Sequence, residues 1–154
     1  MSRENQEMSK RLIAVFDNIM HLEHVSILDG LEGKLSLSEI HTIVAIGSED
    51  FSSMSRVAGM LKITVGTLTV AINNLVKKGY VERHRCEQDR RIVKLGLTQT
   101  GSEVYRIHRE FHRRLAEAMT QGFSERERQT VNQAIDNLGD FIEQGYRGLK
   151  IMDQ

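Results

Sequence analysis

One segment near the middle of the chain carries side chains that could read the edges of base pairs. From Val65 to Lys78 apolar residues recur at helical spacing behind a capping residue, Thr64. The stripe predicted to face inward is Val65, Leu68, Ile72, Leu75 and Val76. The opposite face then carries Gly66, Thr67, Val70, Asn74 and Lys77, with Asn73 beside them. The helix has no acidic residue, whereas a merely solvated face would more often carry Glu and Lys pairs. We therefore predict that this face enters a DNA major groove.

The side chains of this face suggest different contacts with DNA. Thr67, Thr69 and Asn73 could donate to phosphates or base edges, and the Asn74 amide could pair with adenine. Val70 can offer only apolar contact, which suits a thymine methyl group, so the target DNA is predicted to be rich in A·T pairs. The DNA contacts assigned at the starts of the two central helices are Ser53 and Thr64.

A predicted β-hairpin follows this helix and offers a second DNA contact. Residues 80–86 and 92–97 partly alternate between apolar and polar, and the charged stretch 87–91 separates them. On the hairpin tip, Arg90 and Arg91 could reach an adjacent minor groove, where narrow A-tracts favour guanidinium groups. Asp89 beside them would orient an arginine through a charge-assisted pair. The alternative is an ordinary polar turn.

The remaining elements are predicted to be helices. The chain contains no proline, so glycines and capping residues set the helix ends. The predicted helices run from Arg3 to about Leu28, from Ser36 to Gly47, from Ser52 or Ser53 to Leu61, from Thr64 to Lys78, from Thr98 or Thr100 to Gly122, and from Ser124 onward. A short helix, a tight turn, a longer helix and a hairpin follow one another in the order of a winged helix-turn-helix.

The charge distribution supports a nucleic-acid partner although the net charge is zero. Residues 52–101 hold nine Lys or Arg against three acids, a local charge of +6, and the rest of the chain carries −6. Phosphate binding needs a local positive face and not a positive total. The alternative is two solvated regions of opposite sign.

Several other classes of protein are disfavoured by the sequence. No apolar run is long enough for a membrane span, and the polar N-terminus does not read as a signal peptide. One cysteine, Cys86, fits a reducing cytoplasm. Enzymatic motifs are missing: there is no HExxH, no glycine-rich phosphate loop and no Cys/His/Asp set for nucleophilic catalysis. We therefore expect a cytoplasmic protein that is not an enzyme and has neither a metal site nor a cofactor.

Three segments together resemble the core signature of MarR-family regulators: residues 75–83 (LVKKGYVER), 89–91 (DRR) and 97–101 (LTQTG). The resemblance implies a mainly α fold with a small β-hairpin wing, in which a winged helix-turn-helix is flanked by N- and C-terminal dimerisation helices. The corresponding segments are 1–33, 34–99 and 100–154. It also implies a homodimer on a pseudo-palindromic operator, with Arg91, preceded by Asp89, as the minor-groove residue.

Within that family, residues 39–43, 65–69, 73–74 and 87–91 resemble the FabT-type repressors of bacterial type II fatty-acid synthesis. That resemblance implies a corepressor, a long acyl chain on acyl carrier protein, which strengthens DNA binding. Many family members have arginine where this chain has Val70, so guanine readout is not expected there. The alternatives are a MarR-type repressor released from DNA by a small phenolic or drug-like ligand, and a dimeric scaffold without a DNA role.

An acyl chain needs a dry, elongated pocket, which in this family lies between the DNA-reading lobe and the dimer helices. The candidate lining residues are Ile13, Phe16, Ile19, Met20, His41, Ile43, Met60 and Phe111. For each of them, a place in the core or the dimer interface is the alternative. Cys86 is interpreted as a strand residue, since oxidation-sensing relatives carry their reactive cysteine on the first helix.

Overall fold

The computed structural model describes residues 3–29, 35–48, 51–85 and 93–152. Its elements in chain order are α1 (Arg3–Asp29), α2 (Leu37–Ile46), β1 (Ser52–Ser53), α3 (Met54–Leu61), α4 (Val65–Lys77), β2 (Val81–Arg85), β3 (Val93–Leu97), α5 (Gln99–Thr120) and α6 (Glu125–Met152). The predicted order of helices and hairpin is confirmed, and the fold is mainly α with a small antiparallel sheet.

Side-chain caps fix where the helices begin. Ser36 and Glu39 form the predicted capping box: the Ser36 hydroxyl accepts from the Glu39 N–H at 3.2 Å, and the Glu39 carboxylate accepts from the Ser36 N–H at 2.9 Å. Ser53, and not Ser52, caps α3 by accepting from the Arg56 N–H. Thr98, and not Thr100, supplies the hydroxyl that accepts from the Gly101 N–H at the start of α5.

The sheet has the order β1–β3–β2 and is antiparallel throughout. Strands β2 and β3 form the predicted hairpin, with Val81 opposite Leu97 and Arg85 opposite Val93. Strand β1 was not predicted, because two residues are too short to show alternation. It is held on its other side by the buried Ser52 hydroxyl, which donates to the Ile46 carbonyl at 2.8 Å.

The chain divides into two compact units, residues 1–112 and 113–154. The apolar core lies in the first unit and joins α2, α3, α4, the sheet and the first part of α5; its fully buried members include Ile43, Val57, Leu68, Ile72, Leu75, Leu95 and Val104. In the second unit, Ser124 and Glu127 form the capping box predicted at the start of α6.

The predicted inward stripe of α4 is correct at three positions and wrong at two. Leu68, Ile72 and Leu75 are fully buried, whereas Val65 is 45% and Val76 is 37% exposed. Val65 is the first residue of the helix, where no preceding turn covers it. Val76 follows Leu75 directly, and one helical step of about 100° carries it to the edge of the stripe.

Among the described residues, no single helix is long and apolar enough to cross a membrane. Helices α3 and α4 together are long and apolar enough, but a bend of 105° separates them.

Candidate nucleic-acid interface

Helices α3 and α4 form a helix-turn-helix. Their axes differ by 105°, within the range of about 90–120° typical of this motif. The turn depends on Lys62, which takes a left-handed conformation with φ of 56° and donates its N–H to the Gly59 carbonyl. The Ile63 N–H donates to the Ala58 carbonyl at 3.1 Å and closes the end of α3. The chain is thereby redirected into α4 within a few residues.

The start of α4 is organised by two threonines. The Thr64 hydroxyl accepts from the Thr67 N–H at 3.1 Å, and the two hydroxyls lie 2.9 Å apart in a shared hydrogen bond. The first turn contains no acidic residue, so the positive end of the helix dipole is not neutralised by the helix itself. This end is therefore suited to an anion such as a DNA phosphate.

The face of α4 predicted to contact DNA is exposed. Val70 is 63% exposed, and the other exposed members are Gly66, Thr67, Asn73, Asn74 and Lys77. Thr69 differs, because it is half-buried and its hydroxyl donates to the Val65 carbonyl at 2.8 Å. That bond occupies the hydroxyl hydrogen and leaves the acceptor capacity of the hydroxyl and the methyl group for other contacts. Donation from Thr69 to DNA remains a prediction.

Arg83 on β2 links the hairpin to α4, a role that the sequence did not indicate. Its Nη2 donates to the Asn73 Oδ1 at 2.7 Å. Because a guanidinium group can only donate, the Asn73 oxygen must face Arg83, and the amide nitrogen is left to donate elsewhere. The same region holds a shallow groove of about 510 Å³ lined by Met54, Val65, Thr69, Asn73, Arg83 and Val93.

The end of α4, the hairpin and the start of α5 meet at one junction, which we call the Thr98 junction (residues 79, 80, 98 and 101). The Thr98 hydroxyl donates to the Gly79 carbonyl at 2.7 Å, and the Thr98 N–H donates to the Tyr80 carbonyl at 3.1 Å. Gly79 has φ of 79°, a left-handed conformation that favours glycine. A Cβ on Gly101 would lie 2.0 Å from the Tyr80 carbonyl oxygen, so only glycine fits. Two of the three signature segments thus meet in one structure.

An ion pair joins α2 to the end of α4. The Lys78 Nζ lies 2.7 and 2.8 Å from the two carboxylate oxygens of Glu39. Partial burial by itself raises the pKa of Glu39, but the hydrogen bond and charge of Lys78, together with hydrogen bonds from Ser36, outweigh it and the pKa is lowered. Glu39 is therefore ionised at neutral pH and fixes the end of α4 against α2.

The predicted wing-tip residues Asp89, Arg90 and Arg91, and also Cys86, lie outside the described residues, so these predictions stand as made.

At the base of the wing, Lys94 on β3 is exposed. The Phe51 and His84 rings lie 3.9 Å apart beside Gly96, where a Cβ would come within 2.7 Å of the Phe51 ring.

The residues predicted to line an effector pocket are found in different environments. Ile43 is fully buried in the core. Ile19, His41 and Phe111 are half-buried, whereas Ile13, Phe16, Met20 and Met60 are exposed. The pocket remains a prediction.

A second group of polar residues was not predicted and lies among α1, α2 and α5. Glu23 on α1 is 1% exposed, and its Oε1 lies 3.6 Å from the Nε2 of His41, 2.8 Å from that of His108 and 3.2 Å from that of His112. We call these four residues the Glu23 cluster. The sequence does show that His108 and His112 are four residues apart and therefore share one face of α5. It does not show that Glu23 and His41, which lie far away in the chain, come next to them.

Comparison with known proteins agrees with this geometry. The protein-family model for the MarR family matches residues 35–93. The structure of Streptococcus pneumoniae FabT in complex with DNA is similar, with a TM-score of 0.81 and 38% identity, covering 91% of this chain and 98% of that chain. An uncharacterized HTH-type transcriptional regulator of Bacillus subtilis, YybA, is 24% identical over 129 residues, which cover 84% of this chain and 86% of that protein.

A regulator of Listeria monocytogenes, described as a putative MarR-family protein complexed with 26mer DNA, shares the fold with a TM-score of 0.70 at 17% identity, covering 92% of each chain. The similarity to FabT extends over nearly the full length of both chains. The matched family model covers the helix-turn-helix and strand β2, and ends at Val93, the first residue of β3. The chain therefore belongs to the MarR family of DNA-binding transcriptional regulators and not to a class of enzymes.

Proposed function

We propose that the protein is a homodimeric repressor of type II fatty-acid synthesis genes, with a long acyl chain on acyl carrier protein as its corepressor. The observation that carries this proposal is the similarity to S. pneumoniae FabT, at 38% identity over 91% of the chain. The segments that resemble FabT-type repressors include two parts of α4, residues 65–69 and 73–74, and also Glu39, which forms the ion pair with Lys78. We propose a cytoplasmic location, which fits a regulator that acts on genes.

We propose that α4 lies in the major groove and that the wing reaches the neighbouring minor groove. The exposed face of α4 supports this, because its first turn suits phosphate and its outer residues suit base edges. Exposed cations surround that face on three elements: Arg56 on α3, Lys77 on α4, and Arg83 and Lys94 on the sheet. Asp89, Arg90 and Arg91 complete the proposed contacts, together with Ser53, whose cap places it at the start of α3.

The dimer proposal is supported by apolar side chains that the single chain leaves exposed. On α1 these are Leu12, Ile13, Val15, Phe16, Met20, Leu22 and Val25, and on α6 they are Ile135, Leu138, Phe141, Ile142 and Tyr146. Phe141 is 72% exposed in the single chain, and large apolar faces that stay exposed in one chain often mark a binding surface for another protein. We propose that a second copy covers these faces, with residues 1–33 and 100–154 as dimerisation segments around the DNA-reading segment 34–99.

Gel-shift titration tests the proposal on DNA from the promoter of a fatty-acid synthesis operon. Long-chain acyl carrier protein is expected to lower the apparent Kd, whereas unacylated carrier protein should leave it unchanged. A Val70→Ala variant controls for base contact, since it should weaken binding with and without the corepressor. If acylated carrier protein has no effect and a phenolic ligand releases the DNA, the fatty-acid proposal is wrong and the regulator responds to small ligands. If no operator DNA is retained even in low salt, the proposed DNA contacts are wrong.

A further inference from the structure

We propose that the Glu23 cluster is a binding site for a divalent transition metal ion, with Zn²⁺ as the ion that its ligands suit best. Glu23, His41, His108 and His112 would supply one carboxylate oxygen and three imidazole nitrogens. The site belongs to the first structural unit and is separate from the exposed face of α4. It stands on its own geometry and does not depend on the fatty-acid proposal.

The distances within the cluster match those between ligands of one ion. Three Nε2 atoms converge on a single oxygen, Glu23 Oε1, at 2.8, 3.2 and 3.6 Å. In a tetrahedral zinc site with bonds of about 2.0–2.1 Å, two neighbouring ligand atoms lie about 3.3 Å apart. The potential ligand atoms of Glu23, His41 and His108 all lie within 4.8 Å of one another. Small side-chain rotations would therefore place these three groups around one ion. His112, whose Nε2 lies 3.2 Å from Glu23 Oε1, is the proposed fourth ligand.

Burial and charge also favour a cation at this position. Glu23 is 1% exposed, and a buried carboxylate is stable only when it is paired or coordinates a metal. Three imidazole nitrogens face this carboxylate, and neutral imidazole is the commonest metal ligand in proteins. A bound cation would neutralise the carboxylate without requiring charge on any of the three rings.

Three helices, α1, α2 and α5, contribute the residues of the Glu23 cluster. His108 and His112 are one helical turn apart on α5, so they project from the same face, and their rings lie 4.4 Å apart. The His41 ring lies 6.1 Å from the His108 ring and nearly perpendicular to it. Glu23 comes from α1 and His41 from α2, so an ion would be held by three separate helices.

The donor set distinguishes between classes of metal. Three imidazoles with one carboxylate suit Zn²⁺, Co²⁺, Ni²⁺ or Cu²⁺, whereas Mg²⁺ and Ca²⁺ prefer sites made of oxygen atoms alone. Among these ions, Zn²⁺ combines a tetrahedral preference with mixed nitrogen and oxygen ligands. The ligand-to-ligand distances above fit that geometry.

The test uses the full-length chain after removal of metal with a chelator. Co²⁺ is titrated first, because tetrahedral Co²⁺ gives intense visible absorption bands, and Zn²⁺ is then measured in competition with a chromophoric chelator. We expect one ion per chain, displacement of Co²⁺ by Zn²⁺, and a rise in Tm of roughly 5–10 °C at saturating Zn²⁺. Affinity should fall on acidification because protons compete for the imidazoles.

Matched variants locate the site. His108→Gln and Glu23→Gln should each weaken Zn²⁺ binding by at least about 100-fold, since loss of outer-shell groups alone costs about 10–100-fold. His21→Gln is the control, because His21 is exposed on the same helix as Glu23 and should leave affinity unchanged. If circular dichroism shows that a buried variant is unfolded, His112→Gln replaces it, since that side chain is 44% exposed. Equal Zn²⁺ affinity in wild type, His108→Gln and His112→Gln would overturn the proposal, as would the lack of tetrahedral Co²⁺ bands.

Discussion

Replacing Gly101 by alanine should disrupt the Thr98 junction. The new Cβ would lie 2.0 Å from the Tyr80 carbonyl oxygen and 3.1 Å from its carbon. Relief requires a backbone shift of more than an ångström between α5 and the segment that ends α4. The Tyr80 carbonyl cannot turn away freely, because it accepts the Thr98 N–H at 3.1 Å.

Three contributions set the expected magnitude of the Gly101→Ala effect. Overpacking costs about 1–3 kcal/mol, and loss of the Thr98–Tyr80 hydrogen bond costs about 1 kcal/mol. Alanine regains about 1 kcal/mol over glycine through its helix propensity. The free energy of unfolding should therefore fall by about 1–3 kcal/mol.

Urea unfolding followed by circular dichroism measures this effect. All variants are compared at one protein concentration, because the stability of the proposed dimer would depend on concentration. Gly59→Ala in α3 is the matched control, since nothing lies within 4 Å of its added Cβ. It should stabilise the protein by about 0.5–1 kcal/mol. A Gly101→Ala variant as stable as Gly59→Ala would refute the steric reasoning.

Four further predictions concern the ends and the outer face of α4. Asn74→Ala should weaken operator binding by about 1–3 kcal/mol, measured by gel shift. Lys77→Gln should weaken binding to all DNA sequences equally and reduce the slope of log affinity against log salt concentration by about one. A loss of affinity for one sequence alone in Lys77→Gln would contradict this assignment of roles. Glu39→Gln should lower the free energy of unfolding by about 1 kcal/mol at pH 7. The pKa of Glu39 in the folded protein is lowered from 4.5. The difference in free energy of unfolding between wild type and variant should therefore persist above pH 4.5 and vanish as the pH falls through the folded pKa. A difference that stays constant into acid would exclude the ion pair with Lys78 as its cause. Gly79→Ala should lower the free energy of unfolding by about 1–2 kcal/mol, measured by thermal or urea unfolding, because position 79 has a φ of 79°. An unchanged Tm would show that the Thr98 junction tolerates a side chain at this position.

Features that depend on local sequence were predicted well. The capping box at Ser36 and the exposed position of Val70 follow from hydrogen bonds and helical periodicity within a few residues. The hairpin followed from alternation in β2 and β3. The inward stripe of α4 failed only where position in the helix outweighed periodicity, at Val65 and Val76.

Features that depend on distant parts of the chain were not predicted. Strand β1 owes its place to pairing with β3, about 40 residues later, and two serines carry no strand signal. The Arg83 bond to Asn73 requires knowledge of how the hairpin packs against α4. The Glu23 cluster joins residues separated by as many as 89 positions, and the sequence led us to expect no metal site at all. Only the folded chain brings these groups together.

The hydrogen bond between Arg83 and Asn73 has a consequence for how the regulator can adapt to different operators. Together, the Thr98 junction and this bond hold the described strands of the hairpin against α4. In the DNA complex that we propose, the contacts made by α4 and by the hairpin would keep a constant spacing along the double helix within each half-site. Variation among operators would then be tolerated in the spacer between half-sites, because a change in the spacer alters only the relative position of the two subunits of the proposed dimer.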